Sequence, residues 1–389
     1  DYGSCPRRPV RRMWELLRAS RRFRLRRAHC RPRAQRVLRS HRDRWEYSLA
    51  GYPCTRWCAG ASGALIAGIY AGNLYLLVRG CVPLHILIRR NERGRMSLQM
   101  RLVHARMGLT PPALHTEEAA RDMAAHAPQQ EPMPERMRAR FTETRQGGVT
   151  RVTPKQGMRA GGALMFVHGG AYLFPLVDGQ WGVVEGLIDR TGLPVIIPDY
   201  PLAPDHTATE AFDFVQPIID EAKVEFGRVI IFGDSAGGGL ALSLAMQRRD
   251  AGAPQVDGLV LYAPWVDVTM TNPAIKEVQG RDKILRAPGL EWAGRAWAGE
   301  MDPADWRVSP LYGDPAGLPP MRVFQGDADI LGPDAIAFAR KAARAGVDVR
   351  LRVEPDGFHV YVLSAAVIPE AGAALDHSAR FISGILTQA

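Results

Sequence analysis

The chain has 389 residues, 46% of them hydrophobic, which is ample for one large or two smaller domains around a buried core. Its formal net charge of +10 hides an asymmetry: residues 1–95 carry 22 arginines against 5 acidic residues, whereas residues 96–389 carry 28 basic against 35 acidic residues. The larger part is therefore mildly acidic, the basic total says nothing of its substrate, and since all five cysteines (Cys5, Cys30, Cys54, Cys58, Cys81) precede residue 96, disulfides and thiolate metal ligands are excluded from it.

Residues 7–44 are too dense in arginine to bury a core. Ala59 to Val78 then runs twenty residues without a charge, long enough to cross a bilayer, and includes Gly68-x-x-x-Gly72, a spacing that lets membrane helices approach closely. Several glycines and Asn73 count against a span. Three readings of residues 1–95 stand side by side: a membrane-anchored basic leader, a processed targeting segment, and translation upstream of a natural start near Met96. Cys54-x-x-x-Cys58 lacks matching ligands nearby, so no metal site is expected. The arginine run has no aromatic interleaving and no motif for a specific nucleic acid site.

From residue 96 to about 140 the pattern predicts helices, broken at Pro111-Pro112 and Pro132-x-Pro134. Strands are predicted around residues 165, 196, 231, 260, 323 and 350, alternating with helical stretches, the pattern of a doubly wound α/β core with a mostly parallel sheet covered on both faces. The first strand, Ala163 to Val167, runs into His168-Gly169-Gly170-Ala171-Tyr172, where glycines let the backbone aim N–H groups into a cleft. The strand Val229 to Phe232 runs into Gly233-Asp234-Ser235-Ala236-Gly237-Gly238 and then a helix, a turn that needs small neighbours and lifts one serine above the sheet. This reads as a nucleophile elbow; a glycine-rich turn that holds a phosphate is the alternative. After Ala263-Pro264-Trp265 a helical insertion, about 272–299, interrupts the core. The strand Met321 to Gln325 delivers Gly326-Asp327-Ala328-Asp329-Ile330-Leu331, and the strand Val347 to Val353 delivers Glu354-Pro355-Asp356-Gly357-Phe358-His359. Serine, acid and histidine thus follow in the order of α/β-hydrolases. The acid is open among Asp327, Asp329 and Asp334, the last also suiting a helix cap.

His168-Gly169-Gly170-Ala171, Asp199-Tyr200-Pro201-Leu202-Ala203-Pro204 and Gly233-Asp234-Ser235-Ala236-Gly237-Gly238 together resemble, from about Met96 onward, the three signatures of the hormone-sensitive-lipase family of carboxylesterases, bacterial type. The resemblance implies an α/β-hydrolase fold with a helical cap. Residues 96–150 would be the N-terminal cap helices, and residues 151–389 the catalytic domain with the 272–299 insertion completing the cap. It implies Ser235 as nucleophile, Asp329 as acid through the pattern Gly-x-x-Asp-x-Leu, and His359 as base. It further implies the N–H groups of Gly169, Gly170 and Ala236 as oxyanion donors. His168, Asp199 and Tyr200 read as loop supports. Pro201, Asp205 and Ala171 stand where the family usually has arginine, glutamate and a third glycine.

The implied reaction is acyl transfer on small or short-chain esters through a covalent acyl-enzyme, with no metal or organic cofactor. A non-catalytic receptor on the same fold and an amidase or peptidase with the same triad are the alternatives. The expected partner is a small-molecule ester, with no specific nucleic acid, membrane association only through residues 59–78, and a homodimer left open. The expected location is the cytoplasm, or a membrane if the first segment anchors.

Overall fold

In the computed structural model the described residues are 66–70, 73–77 and 96–387 apart from 110, 111 and 113. The chain divides into two units, Asp1–Leu87 and Ile88–Ala389. In the first, strands β1 (Ile66–Tyr70) and β2 (Asn73–Leu77) pair antiparallel, with Ile66 opposite Leu77. These strands lie inside the uncharged stretch 59–78; the remainder of that stretch, the arginine run and the cysteines lie outside the described residues. Among the described residues no helix is long and apolar enough to cross a membrane.

The second unit opens with helices α1 (Leu98–Met107), α2 (Glu117–Ala125) and α3 (Glu135–Arg138). An eight-stranded sheet follows, built from β3 (Phe141–Gln146), β4 (Val149–Pro154), β5 (Ala163–Val167), β6 (Val195–Pro198), β7 (Val229–Asp234), β8 (Gly258–Tyr262), β9 (Met321–Gly326) and β10 (Val349–Glu354). Its order is β10-β9-β8-β7-β5-β6-β4-β3. The strands from β10 to β6 pair in parallel, and β4 and β3 continue the sheet antiparallel. This is the α/β-hydrolase architecture that the motif order implies, and all six predicted strands form. Residues 141–150, assigned above to cap helices, belong instead to the sheet. Gly147 and Gly148, both at positive φ, join β3 to β4 in a two-residue hairpin turn, a signal the sequence carries in plain view.

The central strands are buried on both faces, which is why they read as unbroken apolar runs. Residues alternate between two cores. Met165, Ile231, Leu259 and Val323 face α5 (Ala208–Phe226), α6 (Ala236–Asp250) and α9 (Gly332–Arg344). Phe166, Phe232, Val260 and Phe324 face α4 (Asp178–Thr191) and α10 (Pro369–Thr387), with Phe166 stacked on Phe232 at 4.6 Å. Each fully buried side chain of this size contributes roughly 1.5–3 kcal/mol.

The two expected cap pieces meet mainly through α2. From the insertion, α7 (Ile275–Gln279) and α8 (Ala287–Ala298) supply the partner for α2: Arg295 pairs with Glu117 at 3.0 Å and Arg121 lies over Trp292 at 5.1 Å. Helix α1 instead fastens to α10, where Ser97 donates through its N–H and hydroxyl to Glu370 at 2.6 and 2.8 Å.

Candidate active site

The site lies at the carboxyl ends of β5, β7 and β9 and in the loop after β10, where an open α/β sheet leaves a crevice. Between β7 and α6 the chain reverses at Ser235, whose φ of +51 costs a non-glycine residue about 1–2 kcal/mol. The turn closes only because its neighbours are small: a Cβ on Gly237 would overlap the Val167 carbonyl oxygen, and one on Gly233 would stand 2.6 Å from the Gly237 oxygen. The turn is pinned through Ser235, which donates from its N–H to the Tyr262 carbonyl and accepts from Trp265, at 2.9 and 2.8 Å.

Three of the predicted residues meet. His359 Nε2 is 2.9 Å from Ser235 Oγ, and His359 Nδ1 is 2.9 Å from Asp329 Oδ2. Asp329 is fully buried, while Ser235 and His359 keep 8% and 9% exposure, so the chain of bonds runs from the interior to an accessible hydroxyl. Asp329 also accepts from Gln325 Nε2 at 2.8 Å and from the Leu331 N–H at 2.9 Å. The other two candidate acids lie elsewhere. Asp327 accepts from the Asp356 N–H at 2.7 Å and so ties the β9 loop to the histidine loop. Asp334 accepts from Asn272 at 2.6 Å, and burial pushes its pKa up to about 6.

Burial works against a charge on His359, yet the Asp329 carboxylate, reinforced by Asp282 and Asp234, holds its pKa above the ordinary histidine value. His168 behaves oppositely: buried without a carboxylate partner, it is pushed down to about 4 and stays neutral. Its Nδ1 donates to the Gly169 carbonyl at 2.9 Å, its ring stacks on Tyr200 at 4.5 Å, and the Tyr200 hydroxyl donates to the His168 carbonyl at 2.7 Å. His168 and Tyr200 thus brace the loop after β5. Asp199 does not: it is exposed, and its backbone N–H donates to Gly148 at the β3–β4 turn.

The expected oxyanion donors need one correction. The Gly169 N–H donates to Asp234 Oδ1 at 2.9 Å, so it is not free to receive an oxyanion. The N–H groups of Gly170, Ala171 and Ala236 make no hydrogen bond among the described residues, and Ala236 opens α6, whose dipole favours negative charge. Gly170 turns its carbonyl away, accepting from Leu173 and Phe174 at 2.9 Å each. At φ +135, with a Cβ overlapping the Phe174 oxygen, only glycine fits there. Ala171 and Tyr172 follow at φ +55 and +62. Tyr172 is clamped by Trp297 of α8, stacked parallel at 4.0 Å, and by Trp265 at 5.4 Å.

Sequence reasoning missed the open Ala171 N–H, Asp234 and Gln180 as the anchor of Gly169, and Gln325 behind Asp329. Asp234 sits within the serine motif itself, a signal that was present. Gln180, on α4, donates to both Asp234 oxygens at 3.1 Å, a partnership over 54 residues that no local pattern announces.

A family model described as alpha/beta hydrolase fold matches residues 164–363. An esterase of Acinetobacter venetianus is 32% identical over 226 residues, spanning 57% of this chain and 75% of the relative. An ethyl acetate hydrolase of Pseudomonas putida is 32% identical over 224 residues, 54% of this chain and 70% of the relative. Among solved structures, a hormone-sensitive lipase from a metagenome library superposes with a TM-score of 0.62 at 27% identity, covering 73% of this chain and 97% of the other.

Proposed function

The chain belongs to the α/β-hydrolase family and is a carboxylic ester hydrolase, and from that premise we propose that it cleaves short-chain acyl esters by a Ser235–His359–Asp329 triad through a covalent acyl-enzyme. The observation that carries the reading is the unbroken chain of two 2.9 Å hydrogen bonds from Asp329 through His359 to Ser235. His359, neutral and protonated on Nδ1, takes the Ser235 proton on Nε2 as Oγ attacks the ester carbonyl. Asp329 fixes that tautomer and balances the imidazolium. The N–H groups of Gly170, Ala171 and Ala236 receive the tetrahedral oxyanion, each such donor being worth about 3 kcal/mol of barrier. Imidazolium returns the proton to the leaving alcohol, and water then repeats the sequence on the acyl-enzyme. His359 within bonding distance of Ser235 counts against the non-catalytic receptor reading, which needs no base.

The short-chain reading is supported by the relative named for ethyl acetate. Nitrophenyl esters from acetate to palmitate test it: kcat/KM is highest between acetate and butyrate, and a maximum at long chains overturns the chain-length reading alone. No release from any ester overturns the function. The pH dependence follows from the carboxylates around His359. Because they raise its pKa above about 6.5, the usual histidine value, the base is lost on acidification at a higher pH than for an isolated imidazole. On acidification kcat/KM begins to fall while the pH is still above about 6.5; a plateau extending down to about pH 5 removes His359 from the role of base.

A further inference from the structure

Between α7 and α8 the chain turns inward and buries a second carboxylate beside the acid. Asp282 has no exposed surface. Its Oδ1 accepts from the N–H groups of Ile284 and Leu285, at 2.7 and 2.9 Å, and its Oδ2 accepts from the N–H of Ile330, the residue after Asp329, at 2.9 Å. Beyond Ile330 the turn satisfies the next two N–H groups itself: Leu331 donates to Asp329 Oδ1 and Gly332 to the Asp329 carbonyl, both at 2.9 Å. The Ile330 N–H takes its partner from the α7–α8 segment, and its residue is fully buried. Left unpaired there it is costly, and the turn would shift to find a partner. The neighbouring Arg281 grips the same loop from its other end, donating to the Asp327 carbonyl and to Asp327 Oδ1. His104 of α1 in turn bonds the Arg281 carbonyl at 3.2 Å.

We infer that Asp282 is a positioning residue for the triad: its carboxylate holds the Asp329 turn in register with His359 and keeps a second negative charge behind the imidazole. The inference rests on Asp329 being the acid. Among the described residues no guanidinium or ammonium bonds either carboxylate. Arg286 donates to the Asp282 carbonyl, Lys283 to the Gly280 carbonyl, and Arg281 to Asp327. The charges that face His359 are therefore Asp329, Asp282 and Asp234. Burial and the nearby Asp329 both push the Asp282 pKa up from the ordinary aspartate value, the cost of two buried acids side by side, while the N–H groups of Leu285, Ile330 and Ile284 pull it down. Both oxygens are engaged, Oδ1 within its own turn and Oδ2 on the Ile330 N–H, so the carboxylate couples the α7–α8 segment directly to the Asp329 turn. The arrangement also makes the segment between α7 and α8 part of the catalytic support.

Asp282→Asn tests this, measured as kcat, KM and the pH profile on nitrophenyl acetate beside wild type and Ser235→Ala. An amide can accept on one side only, so an N–H group of the loop meets another donor. The expected result is a fall in kcat of about tenfold or more, KM within about twofold, and an acidic limb moved to lower pH. Asp282→Glu keeps the charge and displaces it by one methylene; its kcat falls while its acidic limb stays with wild type. An inert Ser235→Ala together with wild-type kcat and an unmoved limb in Asp282→Asn overturns the inference and leaves the triad intact. Undiminished turnover in Ser235→Ala defeats the triad reading itself. If neither Asp282 variant can be recovered folded, Asp282 is a pillar of the fold and not a positioning residue, which equally overturns the inference.

Discussion

Ser235→Ala is expected to remove at least about three orders of magnitude of esterase turnover while the protein keeps its fold. The Ser235 hydroxyl bonds His359 and no other described group, so the substitution deletes one hydrogen bond at the surface of the crevice. The fixed backbone around it is held by Tyr262 and Trp265 through main-chain bonds that alanine makes equally well. The φ of +51 is as unfavourable for alanine as for serine, so no new strain enters. What survives is the oxyanion hole without a nucleophile. Thermal unfolding near that of wild type, with residual turnover below about a thousandth, is the result to look for; near-normal turnover in a folded variant removes Ser235 from the mechanism.

Asp329→Asn carries the other large expected effect, a loss of about four orders of magnitude in kcat. The carboxylate accepts from His359 Nδ1, Gln325 and Leu331 at once. An amide must point its NH2 at one of these donors, and with two of its three contacts fixed by backbone and buried amide, the imidazole is the group left to adjust. A donor facing Nδ1 stabilises the tautomer protonated on Nε2, which cannot take the serine proton. Asp327→Asn removes only charge from a residue that ties two loops together, and its loss stays within about tenfold. The two variants compared on one ester decide the matter, since equal and mild losses in both would put the acid elsewhere. Removing the Asp329 charge also withdraws the main force that raises the His359 pKa, so any residual activity persists to lower pH than in wild type.

The sequence by itself determined the sheet's central strands, the elbow, the serine and the histidine, while the acid stayed open among Asp327, Asp329 and Asp334 and was singled out only by the family resemblance. The strands, the elbow with its serine, and the histidine are each written locally: apolar runs forced by burial on both faces, small residues around a serine at positive φ, and short loops at strand ends. Even the β3–β4 hairpin is legible in Gly147-Gly148, a pair suited to the positive φ of a two-residue turn. Which loop N–H groups are free is of a different kind. Gly169 and Gly170 look equivalent in the chain, and only the approach of Asp234, 65 residues away and steadied by Gln180 of α4, occupies the first and leaves Gly170 and Ala171 open. Asp199 likewise sits in a motif, yet its backbone N–H bonds Gly148 of the β3–β4 turn, a partner 51 residues away that no local pattern announces. The nearness of Asp282 to Asp329 is decided in the same way, by a segment folded back across 48 residues to meet one buried N–H. A backbone group declares its type in the sequence, but whether it is still available for chemistry depends on every long-range partner that the tertiary structure brings within 3 Å of it.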